Sequence, residues 1–202
     1  AIGMFYDMED PNQFIADSTK ALTDDGVFIA QLMCLKNMLD TNDVGNICHE
    51  HLEYYSFSSL EYLFNQNGLE IFDVEINNIN GGSYRVYAKK KGATVKEPEG
   101  ASERVKVVRD NETDFSNKQV YIDFFNRLEE NKKKCVDFIK QVVTEGKKVW
   151  VYGASTKGNV ILQYYGLDNS LIEAASERSP FKWGKYTVGT MIPCVSEEDA
   201  RK

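Results

Sequence analysis

The sequence predicts an α/β fold on three observations. A helical pattern that starts at Asp10-Pro11 leads through an Asp-Gly turn into 27–32, a continuous apolar run of strand length. A single long amphipathic helix is predicted over about 116–144. The strand-like run 148–152 is followed at once by the small-residue turn 153–159 and by a further helical pattern. Helices that alternate with buried strands in this way are typical of α/β proteins.

Caps and periodicity predict the first elements. Asp10 is an N-cap followed by proline in the first helical turn, and apolar side chains then recur at helical spacing. The run 27–32 is the kind expected of a strand in a buried parallel sheet. Residues 33–42 fit either a short helix or a loop. Ser58 and Glu61 form a capping-box pattern, which predicts the start of the next helix.

Two strands are predicted after that helix. The first spans 69–74 and begins just after Gly68, a residue suited to the position that follows a helix. The second spans 83–88 and follows a turn cluster rich in Asn and Gly at 77–82. Strands joined in this way predict an antiparallel pair that ends a mostly parallel sheet.

A polar stretch separates the two halves of the chain. Pro98, Glu99 and Gly100 lie within it, and the sequence predicts a linker at 96–115 between a first region, 1–95, and a second, 116–202. The apolar face of the long helix that follows is formed by Val120, Phe124, Leu128, Cys135, Phe138, Ile139 and Val142. A last strand is predicted near 171–175.

Composition excludes several classes of function. The 202 residues carry a formal net charge of −7, which argues against nucleic-acid and anionic-membrane partners because these need a basic surface. No run approaches the roughly 18 apolar residues of a membrane span. The four cysteines are far apart, so neither a disulfide framework nor a closed zinc site is predicted, and a reducing cytoplasmic location is the simplest interpretation. The first residue is Ala1, which suggests a piece of a longer protein.

The segment 46–56 contains both histidines of the protein, with a carboxylate between them and two tyrosines just after. Histidine is the side chain best suited to proton transfer near neutral pH. In an extended segment His49 and His51 would share one face, whereas on a helix they would lie about 200° apart, at roughly 100° per residue. The preceding Gly45-Asn46 pair favours an extended segment or a loop. Solvated histidines on a loop are the alternative that has no function.

The turn 153–159 is a candidate phosphate site. A strand that feeds a turn of small residues and then a helix N-terminus surrounds a phosphate with backbone N–H groups, and Lys157 adds a positive charge. The turn matches neither the GxGxxG nor the GxxxxGK[ST] pattern, and a tight strand-to-helix connection would need small residues as well. Arg178, Lys182 and Lys185 are further cationic candidates.

Several separated motifs together resemble a known family, the sugar C-methyltransferases, over nearly the whole chain. The first three are His49-Glu50-His51-Leu52-x-Tyr54-Tyr55-Ser56, Asn67-Gly68-Leu69 and Gly81-Gly82-Ser83-x-Arg85-Val86-Tyr87. In the second half, Tyr152-Gly153-Ala154-Ser155-Thr156-Lys157-Gly158-Asn159 and the stretch from Arg178 to Pro193 are similar to that family's C-terminal domain.

The resemblance implies a fold and a reaction. Family members have a zinc-binding N-terminal module, a Rossmann-type methyltransferase domain and a C-terminal Rossmann-like domain, and they methylate nucleotide-linked deoxy sugars with S-adenosylmethionine. Residues 1–95 resemble the C-terminal half of the class I methyltransferase domain, and 116–202 resemble the C-terminal Rossmann-like domain. The implied fold is therefore two Rossmann-like units, the first incomplete, joined by a long helix. The zinc module and the Gly-rich S-adenosylmethionine loop have no counterpart here, so little activity is expected of this chain alone.

The resemblance also assigns residues. His51 is expected to be the general base that removes a proton beside the sugar ketone, with His49 and Glu50 lining the sugar pocket. Tyr54, Tyr55 or His49 would stabilise the enolate. The remaining substrate-binding residues are Gly81, Gly82, Ser83, Arg85, Ser155, Thr156, Lys157, Gly158, Arg178 and Lys185. Cys48 stands where the family commonly has tyrosine, so the role of that tyrosine in orienting the sugar is in doubt here.

Three alternatives remain open. Cys48, His49, Glu50 and His51 include metal-ligating types, although adjacent ligands rarely close a tetrahedral site. The second half alone could form a non-catalytic nucleotide-sugar binding module. A small-molecule O- or N-methyltransferase would share the predicted first half but lack the second Rossmann-like half.

Overall fold

The computed structural model describes all residues from 1 to 202 and confirms the α/β fold class. The chain forms two compact units. Unit 1 contains Ala1–Asp43 and His49–Tyr121, and unit 2 contains Val44–Cys48 and Ile122–Lys202. The predicted long helix is present as α5, Lys118–Thr144, which begins in unit 1 and continues in unit 2.

Four helices belong to unit 1: α1 (Pro11–Ala21), α2 (Leu35–Asp40), α3 (Phe57–Gln66) and α4 (Ala101–Asp110). As predicted, α1 starts with proline, and the Asp10 carboxylate accepts a hydrogen bond of 2.9 Å from the Gln13 N–H. The short-helix alternative for 33–42 is the one that the structure shows.

The capping interaction of α3 differs from the predicted Ser58–Glu61 box. Ser56 is the N-cap, and its hydroxyl accepts a hydrogen bond from the Ser59 N–H at 3.1 Å. The carboxylate of Glu112 accepts hydrogen bonds from the first N–H groups of the helix instead. Glu112 lies 54 positions after Ser58, and the Ser58 N–H donates to it at 3.0 Å. Glu61 pairs with Arg109 on α4 and is therefore not available as a cap.

The sheet of unit 1 contains β1 (Phe28–Met33), β2 (Leu69–Asn77) and β3 (Ser83–Lys90) in the order β1-β3-β2. The prediction of a mostly parallel sheet is wrong for these strands, since β3 pairs antiparallel with both of its neighbours. The β2–β3 pair is antiparallel as predicted, but β3 then inserts next to β1. The strands β1 and β2 run in the same direction without pairing directly, and the one parallel contact of β1 is the bridge between Ile2 and Gln31.

The predicted linker 96–115 contains α4, which packs on β2 as part of unit 1. Arg104 on α4 donates two hydrogen bonds of 2.7 Å to the two carboxylate oxygens of Asp73, a buried residue beside a bulge in β2. A bidentate guanidinium–carboxylate pair of this kind fixes orientation as well as distance. The polar composition of the stretch is therefore that of an amphipathic surface helix.

Unit 2 contains a parallel sheet of β4 (Trp150–Tyr152), β5 (Ala174–Glu177) and β6 (Cys194–Ser196), in that order. Helix α6, Thr156–Tyr165, connects β4 to β5 as the sequence predicts. The core of the unit is formed by apolar side chains from α5, α6 and the sheet, among them Ile139, Leu162, Ile172, Ala175 and Ile192. No helix of the chain is both long enough and apolar enough to cross a membrane.

Candidate functional site

The His-Glu-His segment lies in an irregular part of the chain. It follows the 3-10 turn Val44–Asn46, which is buried and packs on α6 within unit 2. His49 and Glu50 form an exposed turn, and residues 51–56 have no regular secondary structure. The two histidines therefore do not lie in an extended strand, so the shared face expected of such a strand does not apply to them. The predicted loop character of the segment is present.

His51 is held against Tyr6, a residue that the sequence did not point to. The two rings meet edge to face, with centroids 4.6 Å apart and an interplanar angle of 65°. The Tyr6 carbonyl accepts hydrogen bonds from the next two N–H groups, those of Leu52 at 2.9 Å and Glu53 at 3.1 Å. Tyr6 itself is only 6% exposed, so both contacts fix His51 to a buried residue of unit 1.

The two tyrosines of the segment differ in their surroundings. Tyr54 is half-buried, whereas Tyr55 is buried with its ring 5.3 Å from that of Phe5. The Tyr55 hydroxyl has no hydrogen-bond partner in the structure, and burial raises the pKa of this phenol well above its usual value. A buried hydroxyl without a partner is costly.

The glycine-rich motif makes internal contacts. A Cβ on Gly81 would lie 2.7 Å from the Asp43 carboxylate, and one on Gly82 would lie 2.5 Å from the Asn37 Cβ. The Ser83 hydroxyl donates to the carbonyl of Ile79 at 2.8 Å. Both glycines have a positive φ, so the motif combines a tight turn with close approach to α2 and the residues after it.

Arg85 on β3 is also engaged within unit 1. Its Nε and Nη2 both donate to the side-chain carbonyl of Gln31, at 2.9 and 2.8 Å, and its Nη1 lies 3.4 Å from a carboxylate oxygen of Glu75. The structure thus brings together the predicted residues of 81–85 as a packed motif around β3, with contacts that reach β1 and β2.

The small-residue turn of unit 2 has the predicted helix N-terminus. Ser155 caps α6 by accepting a hydrogen bond of 3.0 Å from the Gly158 N–H, and Thr156 and Lys157 are the first helical residues. The Ala154 N–H, however, donates to the Glu177 carboxylate at 2.7 Å. Because a carboxylate of the protein already takes this N–H, it is not available to a phosphate.

The two remaining predicted cations, Arg178 and Lys185, line one cavity of about 540 Å³ at the carboxyl ends of β5 and β6. Trp183, Tyr186 and Glu197 line it as well, whereas no residue of the turn 153–159 does. Within unit 2 these two cations thus line a cavity to which the turn contributes no residue.

Arg178 and Glu197, which line this cavity, form an ion pair. The Arg178 guanidinium lies 3.4 Å from Glu197, and the Tyr152 hydroxyl donates to the same carboxylate at 2.8 Å. The Tyr152 hydrogen bond, together with Arg178, holds the pKa of Glu197 below its usual value, and the nearby carboxylate raises the pKa of Arg178. Glu197 is therefore an ionised acceptor at neutral pH.

Glu177 is a second ionised acceptor in this region. Hydrogen bonds from the backbone N–H groups of Ser179 and Ala154 lower the pKa of its carboxyl group. Lys182 donates to the Ala154 carbonyl at 2.7 Å and lies 3.4 Å from Glu177. Lys182, a sequence candidate for anion binding, is thus used to hold the turn and the following loop together.

No three His, Cys, Asp or Glu side chains of the chain converge as metal ligands, so Cys48, His49, Glu50 and His51 do not form a metal-binding cluster. Sequence reasoning missed Tyr6, Trp183 and Glu197. The aromatic pair Trp183 and Tyr186, which flanks a lysine, was the one local signal that could have indicated the cavity.

Comparison with known proteins identifies the family of the chain. Residues 78–202, more than half of the chain, match the family model described as C-methyltransferase C-terminal domain. The chain is also similar to C-methyltransferase NovU of Streptomyces niveus, with 30% identity over 196 residues, which is 97% of this chain and 46% of the relative. The chain therefore spans about half the length of that relative. From the matched domain and the continuous similarity, we conclude that the chain belongs to the C-methyltransferase family.

Proposed function

We propose that the chain carries the base and the sugar-binding part of an enzyme that transfers a methyl group to carbon. The acceptor is the carbon beside the ketone of a nucleotide-diphosphate deoxy sugar. Family membership supports methyl transfer in general, and the observation that carries the assignment is the fixed position of His51. Its imidazole is half-buried, and both its ring and the following backbone are anchored to Tyr6.

His51 is the general base in this proposal. Its imidazole nitrogen takes the proton from the α-carbon, so that a C–H bond breaks and an N–H bond forms. The electron pair moves into the enolate, whose oxygen carries the negative charge. An imidazole is well matched to this step because its ordinary pKa is close to neutral pH.

The enolate oxygen needs a hydrogen-bond donor in a fixed position. Tyr55 is the strongest candidate, because its buried hydroxyl has no partner in the protein and its raised pKa keeps it protonated. His49 and Glu50, both exposed, and Tyr54 are proposed to orient the sugar. Gly81, Gly82, Ser83 and Arg85 support this region through their packing.

S-Adenosylmethionine is the proposed methyl donor, since its sulfonium supplies an electrophilic methyl group. The residues of this chain do not fit a complete site for it. In unit 1 the strand-to-helix connection from β1 to α2 runs through Cys34, without the Gly-rich turn that would grip such a cofactor. We therefore propose that this chain alone has little methyl-transfer activity, and that proton removal is the step its own residues perform.

The first test follows proton removal without the methyl donor. The chain is incubated with a nucleotide-diphosphate keto sugar in deuterated water, and NMR measures the exchange of the α-proton. General base catalysis contributes about 100- to 10,000-fold, so we expect His51→Asn to lose at least about 100-fold in exchange rate. Equal exchange by His51→Asn and the unmodified chain would show that His51 is not the base.

A second candidate function is a non-catalytic nucleotide-sugar binding module, which the cavity of unit 2 favours. This alternative predicts that nucleoside diphosphates raise the melting temperature while no α-proton exchange occurs. The enzymatic proposal predicts that the same chain shows both effects.

A further inference from the structure

The chain enters unit 2 briefly, immediately before the proposed base. Residues up to 43 belong to unit 1, Val44–Cys48 belong to unit 2, and from His49 the chain belongs to unit 1 again. A segment of five residues cannot form a core of its own, so it belongs to unit 2 because of what it packs on. We call Val44–Cys48 the anchor segment. The stretch with the proposed base is thus connected to both units within a few residues.

The anchor segment is attached to unit 2 through α6. Its turn Val44–Asn46 packs on this helix, and Val44 is 5% and Asn46 is 1% exposed. The turn is closed by its own backbone, since the Ile47 N–H donates to the Val44 carbonyl at 2.9 Å and the Cys48 N–H donates to the Asn46 carbonyl at 3.1 Å. A buried, hydrogen-bonded turn of this kind has to follow the position of the helix on which it packs.

The residues after the anchor segment are held separately in unit 1. Besides the two N–H groups that donate to the Tyr6 carbonyl, the Leu35 N–H donates to the Tyr55 carbonyl at 3.1 Å. Leu35 is the first residue of α2 and is buried. With the His51 ring against Tyr6, the stretch from His51 to Tyr55 is therefore fixed at both of its ends within unit 1.

The two attachments are close together along the chain. Five peptide steps separate the buried Asn46 from His51, and a chain of this length spans at most about 17 Å when fully extended. His49 and Glu50, which lie between the attachments, form an exposed turn, so the path is shorter than that limit. A short segment held at both ends has fewer conformations than one held at a single end. The conformation of this turn therefore depends on both units.

We propose that the anchor segment is a positioning element, through which unit 2 sets the conformation of His49, Glu50 and His51. The inference rests on the proposed function for the chemistry of His51, and it deepens that function by giving unit 2 a part in it. Val44 and Asn46 are positioning residues, since they act through the backbone of the segment that follows. An error of about 1 Å in the position of a catalytic group can cost about 100-fold in rate, so such an element affects proton removal.

A pair of matched valine variants tests the attachment without any substrate. Val44→Ala removes both γ-methyl groups from the buried turn, whereas Val149→Ala removes the same groups from a residue that packs against the core of unit 2. The chain has two histidines, so its imidazole NMR signals can be assigned with the single variant His49→Gln. We expect Val44→Ala to shift the signals of His49 and His51, and Val149→Ala to leave them unchanged.

Amide hydrogen exchange measures the same effect on the backbone. The N–H groups of Leu52 and Glu53 donate to the Tyr6 carbonyl, and Val44→Ala should make them exchange about tenfold faster or more, because one of the two attachments is weakened. Far-UV circular dichroism checks that each variant is folded. Val44→Thr keeps the volume of valine and adds a hydroxyl to the buried turn, so it replaces Val44→Ala if that variant does not fold. It should shift the same histidine signals.

The α-proton exchange of the keto sugar in deuterated water tests the link to His51. Val44→Ala should lower the maximal exchange rate by about tenfold or more and leave the half-saturating sugar concentration unchanged, because a positioning element acts on the reacting geometry. In the His51→Asn background Val44→Ala should cause no further loss, since both substitutions affect the same group. Val149→Ala should keep the rate of the unmodified chain.

The outcomes separate this inference from the proposed function. If Val44→Ala leaves the histidine signals and the amide exchange unchanged, or changes them no more than Val149→Ala does, the positioning role is wrong. The same holds if Val44→Ala keeps the full rate of α-proton exchange, and the proposed function then stands. If the histidine signals and amides respond as expected but the unmodified chain exchanges no α-proton, the positioning of the segment stands and the proposed chemistry fails.

Discussion

The substitution Gly82→Ala tests whether the glycine-rich motif acts by packing or by substrate contact. Gly82 has φ +131°, a backbone conformation that residues with a side chain rarely adopt. An alanine Cβ would also lie 2.5 Å from the Asn37 Cβ and would overlap its amide group. Since Cβ atoms essentially never approach this closely, either α2 or the turn has to move.

The magnitude follows from these two costs. A residue with a side chain in such a backbone region costs about 1–3 kcal/mol, and overpacking a well-filled site costs about another 1–3 kcal/mol. We therefore expect Gly82→Ala to lower the free energy of unfolding by roughly 2–6 kcal/mol, a large share of the 5–15 kcal/mol typical of a folded domain.

The assay is a double-mutant cycle with Asn37→Gly, measured by urea unfolding. The imidazole NMR signals of His49 and His51 follow unit 1, fluorescence of Trp150 and Trp183 follows unit 2, and far-UV circular dichroism follows both units together. Asn37→Gly removes the overlapping atoms but leaves the backbone strain at Gly82. In that background Gly82→Ala should cost only the strain of about 1–3 kcal/mol.

Two results would refute this reasoning. If Gly82→Ala costs the same in both backgrounds, within about 0.5 kcal/mol, then contact with Asn37 is not what requires glycine. If the variant keeps its stability but loses affinity for the nucleotide sugar, the motif contacts substrate and its packing is secondary. Stability lost in the unit 1 signals alone is the result expected from the structure.

Three further predictions follow. Tyr6→Leu removes the ring against His51, so it should reduce α-proton exchange by up to about 100-fold and shift the His51 NMR signals, both measured by NMR against the unmodified chain. The pKa of Glu177 is lowered in the folded chain, so its contribution to stability is present above the ordinary carboxyl pKa and is lost as pH falls. Glu177→Gln should therefore make the free energy of unfolding depend less on pH between pH 3 and 6, measured by urea unfolding. Burial and a hydrogen bond to Glu129 raise the pKa of Tyr164 to about 12, so the unfolded chain loses this proton first and stability should fall as pH rises from about 10 to 12. Tyr164→Phe should reduce that fall, and an unchanged alkaline slope would contradict the assignment.

The parts of the fold that depend on neighbouring residues could be predicted from the sequence. The Asp10 cap with proline at the first position of α1, the long amphipathic helix α5 and the strand–turn–helix unit of β4 and α6 all appear as expected. Each of these signals lies within a single turn or in one continuous periodic pattern, so no distant contact is needed to interpret it.

The parts that differ from prediction depend on distant partners. Nothing near β3 indicates that it inserts between β1 and β2, because strand order is decided by which apolar faces meet in the folded unit. The N-terminus of α3 is capped by Ser56 and by Glu112, which is more than 50 positions away. A local capping pattern could therefore indicate that a helix begins, but not which residues accept hydrogen bonds from its first N–H groups.

The same limit applies to the site. Composition and spacing drew attention to His51, but not to Tyr6, which precedes it by 45 positions and fixes its ring. In unit 2 the sequence offered Arg178 and Lys185 as scattered cations, and only the fold places both around one cavity with Trp183. Residue types indicate which chemistry is available, whereas pairing across the fold determines which groups can take part in it.

The turn 153–159 shows how such pairing changes a functional interpretation. Strand, small-residue turn and helix N-terminus are all present, and these features alone favour an anion site. Glu177, which ends the neighbouring strand, places an ionised carboxylate on the Ala154 N–H, and Lys182 is drawn to the same turn. A phosphate would have to displace this carboxylate or remain beside its negative charge. The strand–turn–helix pattern therefore does not by itself establish a phosphate site at this turn.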